Sequence, residues 1–80
     1  MPPESELGRN LVGHRIREAR MRQKPRVTQE ELAARLAVRG VLMDRSAISR
    51  IEAQQRYLRD YEIVEIAKCL KVEVAWLFGK

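Results

Sequence analysis

Eighty residues are enough for one small domain. A chain of that length buries only somewhat more than about 60% of its unfolded surface, so its stability is expected to be modest unless a second subunit contributes. A composition 45% hydrophobic and 34% charged, with 4 Gly and 3 Pro, is that of a soluble folded domain and excludes collagen-like and low-complexity chains. Sixteen Lys and Arg against eleven Asp and Glu leave a charge of +5, which suits a polyanionic partner without identifying it; a basic but inert surface is the alternative.

No apolar run approaches the roughly 18 residues needed to span a bilayer, and the N-terminus lacks the basic and apolar regions of a signal peptide. The expected compartment is cytoplasmic. Cys69 is the sole cysteine and His14 the sole histidine, so an intrachain disulfide and a zinc-finger spacing are both out of reach. No cofactor or metal is expected, and no internal repeat is visible.

Taken in order, residues 1–9 hold two prolines, two glutamates and no apolar period, and are expected to form a mobile arm ahead of a domain over residues 10–80. Leu11, Val12, Ile16 and Ala19 recur at the spacing of an amphipathic helix from about Asn10, a candidate N-cap, to Lys24, with Arg15, Arg17, Glu18 and Arg22 on the wet side. Pro25 ends it. Thr28 opens a second helix with the capping-box pattern Thr28/Glu31, and Leu32, Ala33 and Leu36 form its buried stripe. Gly40 can close that helix in the left-handed conformation. The apolar connector Val41-Leu42-Met43 is expected to pack down on the core, a short strand being the weaker alternative.

Asp44 is a good N-cap for a third helix at about 45–53, with Ile48 and Ile51 inward and Arg45, Ser46, Ser49 and Arg50 outward. Leu58 falls in a loop closed by Asp60, read as the N-cap of a fourth helix that carries Ile63, Ile66, Ala67 and Leu70 and runs to about Leu70. A short fifth turn, Val74 to Phe78, brings Trp76, Leu77 and Phe78 against the body.

At Thr28-Gln29-Glu30-Glu31-Leu32-Ala33, Ile48-Ser49-Arg50-Ile51-Glu52 and Val72-Glu73-Val74-Ala75-Trp76-Leu77 the chain resembles the lambda-repressor-like, Cro/XRE helix-turn-helix family, from about Gly13 to Phe78. The resemblance implies an all-α fold of five short helices whose third helix lies in the DNA major groove. It implies Arg45, Ser46, Ser49 and Arg50 as base contacts. Arginine can meet guanine O6 and N7 together, and a serine hydroxyl suits several bases. Gln29 and Arg56 resemble the family's phosphate contacts, with Thr28 either assisting or serving as a plain cap. Arg15, Arg17 and Arg22 stay open between a solvated surface and a backbone contact. Arg20 and Glu52 resemble a structural ion pair that ties the reading helix to its support.

The chain departs from the family in several places. The separation from Leu36 to Ser46 is longer than in most relatives, which implies an extra turn of the second helix through Arg39 and a longer connector able to tilt the third helix. Lys24-Pro25-Arg26-Val27 is also long and adds positive charge. Ala53-Gln54 stands where many relatives carry Asn-Gly, so the third helix is expected to run on through Gln55. Lys71 likewise replaces the glycine common after the fourth helix.

The resulting expectation is a sequence-specific binder of double-stranded DNA, a transcriptional regulator of repressor type, acting as a homodimer whose C-terminal helices and Trp76 form the contact. A DNA-binding antitoxin or adaptor working through a protein partner is the alternative. An enzyme is not expected, because His14 stands alone and Cys69 reads as core or rim filler, with a redox sensor as its less favoured role.

Overall fold

Five α-helices follow one another in the computed structural model, which describes residues 8–80: α1 (Gly13–Arg22), α2 (Gln29–Val38), α3 (Arg45–Glu52), α4 (Asp60–Leu70) and α5 (Val74–Leu77). Of the expected N-terminal arm, residues 1–7 lie outside the described residues, while the Arg9 amide donates to the Gln54 carbonyl at 2.9 Å. Helix α1 packs against α3, α4 and α5; α2 packs against α3 and α4; α5 closes over α4. Every element therefore touches at least two others or caps one, and the apolar stripes converge on a single core.

Ile16, Leu32, Leu36, Ile48, Ile51, Ile66, Leu70 and Leu77 are all sealed from solvent. At about 1.5–3 kcal/mol for each large aliphatic side chain removed from water, this cluster is the main source of cohesion. The connector contributes unequally. Val41 is buried and Met43 half-buried, but Leu42 is 83% exposed, so only part of this segment packs down, and no strand forms among the described residues. Leu11 also departs from its expected inward position, being exposed just before the helix begins. At the chain's end Leu77 is buried and Trp76 half-buried, whereas Phe78 stays exposed.

The helix starts use side-chain oxygens. Thr28 Oγ1 accepts from the Glu31 amide at 3.0 Å while Glu31 Oε1 accepts from the Thr28 amide at 3.5 Å, a complete capping box. Asp44 Oδ1 accepts from the Ala47 amide at 2.8 Å. Asn10 lies two residues before the Val12 cap position, yet its Oδ1 accepts from the amides of Val12 (3.1 Å) and Gly13 (2.7 Å), so it satisfies the start of α1 from outside. Asp60 is not the cap of α4: Arg59 holds that position, and Glu62 Oε1 accepts its amide at 2.8 Å. Asp60 is already helical, and its side chain accepts from the amide of its neighbour, Tyr61.

The helix ends show the largest departure from expectation. α1 stops at Arg22 instead of Lys24, since Gln23 is already extended ahead of the pre-proline residue, and its side-chain amide caps the Leu70 carbonyl of α4 at 2.8 Å. Gly40, at φ 84°, closes α2, and the Val41 amide reaches back to the Leu36 carbonyl. Helix α3 does not run through Gln55. It ends at Glu52 because Gln54 takes the left-handed conformation at φ 60°, letting the Gln55 amide bond the Arg50 carbonyl at 2.8 Å. Lys71 does the same after α4, at φ 57°, with the Val72 amide on the Ala67 carbonyl. Two non-glycine residues accept a conformation that favours glycine because the closing hydrogen bonds and buried flanks hold them there.

Gly13 is required for a different reason. A Cβ placed on it would sit 2.0 Å from the Ile51 carbonyl oxygen, so the N-terminal turn of α1 lies directly on the last turn of α3. Gly13→Ala should lower unfolding free energy by about 1–3 kcal/mol as an overpacked contact, overriding the propensity gain of about 1 kcal/mol. Urea denaturation with an unchanged or higher midpoint would contradict that close approach.

Cys69 is buried on α4, and burial pushes its thiol above the ordinary value. The folded chain favours the neutral thiol, so this group's contribution is intact below about pH 8.5, the ordinary thiol range, and is lost as pH rises beyond it. Labelling with a thiol reagent at neutral pH should be slow in native buffer and accelerate where denaturant unfolds the chain; free-cysteine rates in native buffer would place Cys69 at the surface.

Candidate nucleic-acid interface

Helix α3 has two unlike faces. Ala47, Ile48 and Ile51 are buried, and Arg45, Ser46, Ser49 and Arg50 are exposed. These four exposed side chains make no hydrogen bond or ion pair with any described residue, so their donors and charges are open to an external partner. The lengthened α2–α3 connection therefore leaves the outward face uncovered.

Behind this face, Arg20 meets Glu52 in a two-pronged pair, Nε to Oε2 and Nη2 to Oε1, both at 2.8 Å. The two side chains are only 9% and 5% exposed. Parallel N–H donors match the carboxylate plane and add directionality to attraction. Arg20 Nη1 also donates to the Val27 carbonyl at 3.0 Å, and Gln29 Nε2 donates to Glu52 Oε1 at 3.1 Å. The end of α3, the last turn of α1, the α1–α2 connection and the first residue of α2 thus meet at one charged knot. No buried side-chain nitrogen or oxygen among the described residues lacks a partner.

Gln29 is consequently committed through one amide hydrogen-bonding group to the knot, but it also lines a cleft with Arg26, Thr28 and Arg45 at the N-terminal end of α3. Arg26, noted in the sequence only as added charge, is brought there by the long connection. Arg56, read as a phosphate contact, has its guanidinium against Glu62, at 3.3 and 3.4 Å, and on the Tyr57 carbonyl at 3.1 Å. Any further anion there would share Arg56 with that carboxylate.

Arg15 and Arg22 turn elsewhere. Their guanidinium carbons lie 4.4 and 5.7 Å from the Trp76 ring centroid, and both approach Glu18, so they brace α5 against α1. Arg17 is exposed. His14 is exposed as well, and among the described residues no group of His, Cys, Asp and Glu could hold a metal ion. No helix of the described residues is long and apolar enough to cross a membrane.

Sequence reasoning missed Asn10's second role. Its Nδ2 donates to the Ile51 carbonyl (3.1 Å) and the Arg56 carbonyl (2.9 Å), while Gln54 Nε2 donates back to the Asn10 carbonyl at 2.9 Å. One asparagine therefore starts α1 and finishes α3. An isolated Asn before a helix signals only the first of these.

Two helices joined by a turn, the second exposing arginines and serines and tied to the domain by its far end, define a helix-turn-helix module. The helix-turn-helix family model matches residues 16–77, and the chain belongs to that family, of the Cro/C1 type (XRE), whose members bind DNA. No curated protein and no solved structure matched the chain.

Removing one partner of the Arg20–Glu52 pair leaves the other charge buried, a loss of about 3–5 kcal/mol. Glu52→Ala should therefore lower the melting temperature strongly or unfold the domain. A thermal melt indistinguishable from that of the unmodified chain would refute the structural role of the pair.

Proposed function

We propose that this protein is a sequence-specific transcriptional regulator of repressor type that reads the major groove with α3. The observation that carries this is the solvent-facing row Arg45, Ser46, Ser49 and Arg50, unpaired within the described residues, on a helix whose opposite face is locked into the core. Arginine supplies a fork suited to guanine, and serine supplies a hydroxyl that both donates and accepts. Gln29, Thr28 and Arg56 serve as phosphate contacts that set register without reading sequence.

The active species is a homodimer. A small domain presents one short reading helix, and two such helices about 34 Å apart address a near-palindromic site. The half-exposed Trp76 and exposed Phe78 at the C-terminal end supply the apolar contact by family likeness. Sedimentation equilibrium giving the 9.3 kDa monomer mass at all concentrations, with and without duplex, would contradict it.

A second reading, an antitoxin or adaptor that acts through a protein partner, draws on Val38 and Leu42, which are 89% and 83% exposed near the α2–α3 turn. In that case Val38→Lys and Leu42→Lys should abolish partner binding and leave DNA affinity intact.

Selection from a random duplex pool should yield one enriched motif. On that motif Arg50→Ala should cost about 1–3 kcal/mol and relax preference at one base position, whereas Gln29→Ala should weaken all sequences alike. Equal losses from both changes on every sequence would contradict this division of roles.

A further inference from the structure

The cleft at the N-terminal end of α3 has a counterpart at the other end. Arg9, Arg50, Arg56 and Arg59 line a second cleft around Tyr57, of about 430 Å3, roomy beside the about 30 Å3 of a single water. These four guanidinium groups come from three separate segments: the stretch before α1, α3 itself, and the loop that follows it. Nothing in their sequence spacing announces that they meet.

We propose that this second cleft is a binding site for a backbone phosphate of duplex DNA, with Arg9 and Arg59 as its principal unassigned contacts. The proposal rests on duplex binding through α3 but not on which bases α3 reads.

Charge is the first argument. Among the described residues Glu62 is the only carboxylate lining the cleft, and its oxygens already accept from the Arg56 guanidinium and from the Arg59 amide. Arg9, Arg50 and Arg59 have no carboxylate partner among the described residues, so these residues give the cleft an excess of positive charge that a polyanion would relieve. Position is the second. The Arg9 guanidinium lies 5.6 Å from the Tyr57 ring centroid, with Nη1 3.5 Å from the Gln55 carbonyl, and its backbone is fastened to Gln54. Arg59 Nη1 rests on the Tyr61 hydroxyl at 3.2 Å. Both are held by uncharged partners, which orient the groups without neutralising them.

Spacing is the third. The 8 residues of α3 span about 12 Å at about 1.5 Å per residue, comparable with the about 12 Å width of the major groove. A cleft holding Arg26, Thr28, Gln29 and Arg45, with Glu30 as its one carboxylate among the described residues, at one end and a cleft holding Arg9, Arg50, Arg56 and Arg59 at the other therefore bracket the reading helix as the two phosphate rails bracket the groove.

The test is the salt dependence of binding to a random-sequence duplex of fixed length, which requires no knowledge of the preferred site. Arg9→Ala and Arg59→Ala should each flatten the plot of log affinity against log salt by about 0.9, the value for one phosphate contact, and weaken random and selected duplexes by the same factor. Arg9→Lys and Arg59→Lys should retain the slope. Lys68→Ala is the control for loss of charge anywhere on the surface. Lys68 pairs with Glu65 near the far end of α4, about 13 Å along that helix from Arg59 at about 1.5 Å per residue, and its loss should leave the slope unchanged. Slopes equal to that of the unmodified protein in both arginine variants overturn the cleft while leaving DNA binding by α3 intact. An equal fall in Lys68→Ala also overturns it, by showing a general charge effect. Absence of duplex binding by the unmodified protein overturns this inference and the regulator reading together.

Discussion

The bidentate contact between Arg20 and Glu52 sets the geometry on which the rest depends. It is nearly sealed from solvent, and Val27 and Gln29 add further hydrogen bonds to it, so two charges that are expensive to bury are both paired and hydrogen-bonded. Because Glu52 is the last residue of α3, the pair fixes the end of that helix directly. Because Gln29 is the first residue of α2 and touches the same carboxylate, both helices of the helix-turn-helix are referenced to one point. An apolar contact of similar volume could match the stability but not the direction, which depends on the planar fork meeting the carboxylate plane.

The same end of α3 is fastened a second time by backbone. Asn10 joins the start of α1 to the Ile51 and Arg56 carbonyls, Gln54 returns the bond to Asn10, and Gly13 lets the two helices touch without an intervening Cβ. With side-chain charge on one side and main-chain hydrogen bonds on the other, α3 has little freedom to rock, which is what a helix carrying unpaired polar groups needs if it is to present them in one arrangement. The longer α2–α3 connection is absorbed by Gly40 and by the burial of Val41, and its extra length emerges as exposed Leu42 instead of as a lid on the helix.

Charge is divided by location. Arginines near Trp76 brace α5, Arg20 is internal, Arg39 pairs with Glu65 and holds that carboxyl below its usual range, and the arginines on and around α3 face outward. A net charge of +5 by itself describes none of this, since arginines of the same chemical type serve as aromatic stacking partners, as a buried strut and as exposed cations.

What the sequence determined alone was the set of local choices: periodic apolar residues placed the helices, Thr28 with Glu31 and Asp44 started two of them, and Ile48 with Ile51 fixed which side of α3 turns inward. These are legible because each depends on residues within one or two turns. The family likeness supplied the partner of Arg20. Tertiary structure alone decided where α3 stops, because Gln54 and Lys71 enter left-handed conformations that only closing bonds and packed neighbours sustain. It also decided that Glu62 caps Arg59 in place of Asp60, that Arg15 and Arg22 belong to Trp76, and that Arg9 lies beside a loop more than forty positions away. Such meetings depend on how helices cross, and residue spacing along a chain does not encode a crossing.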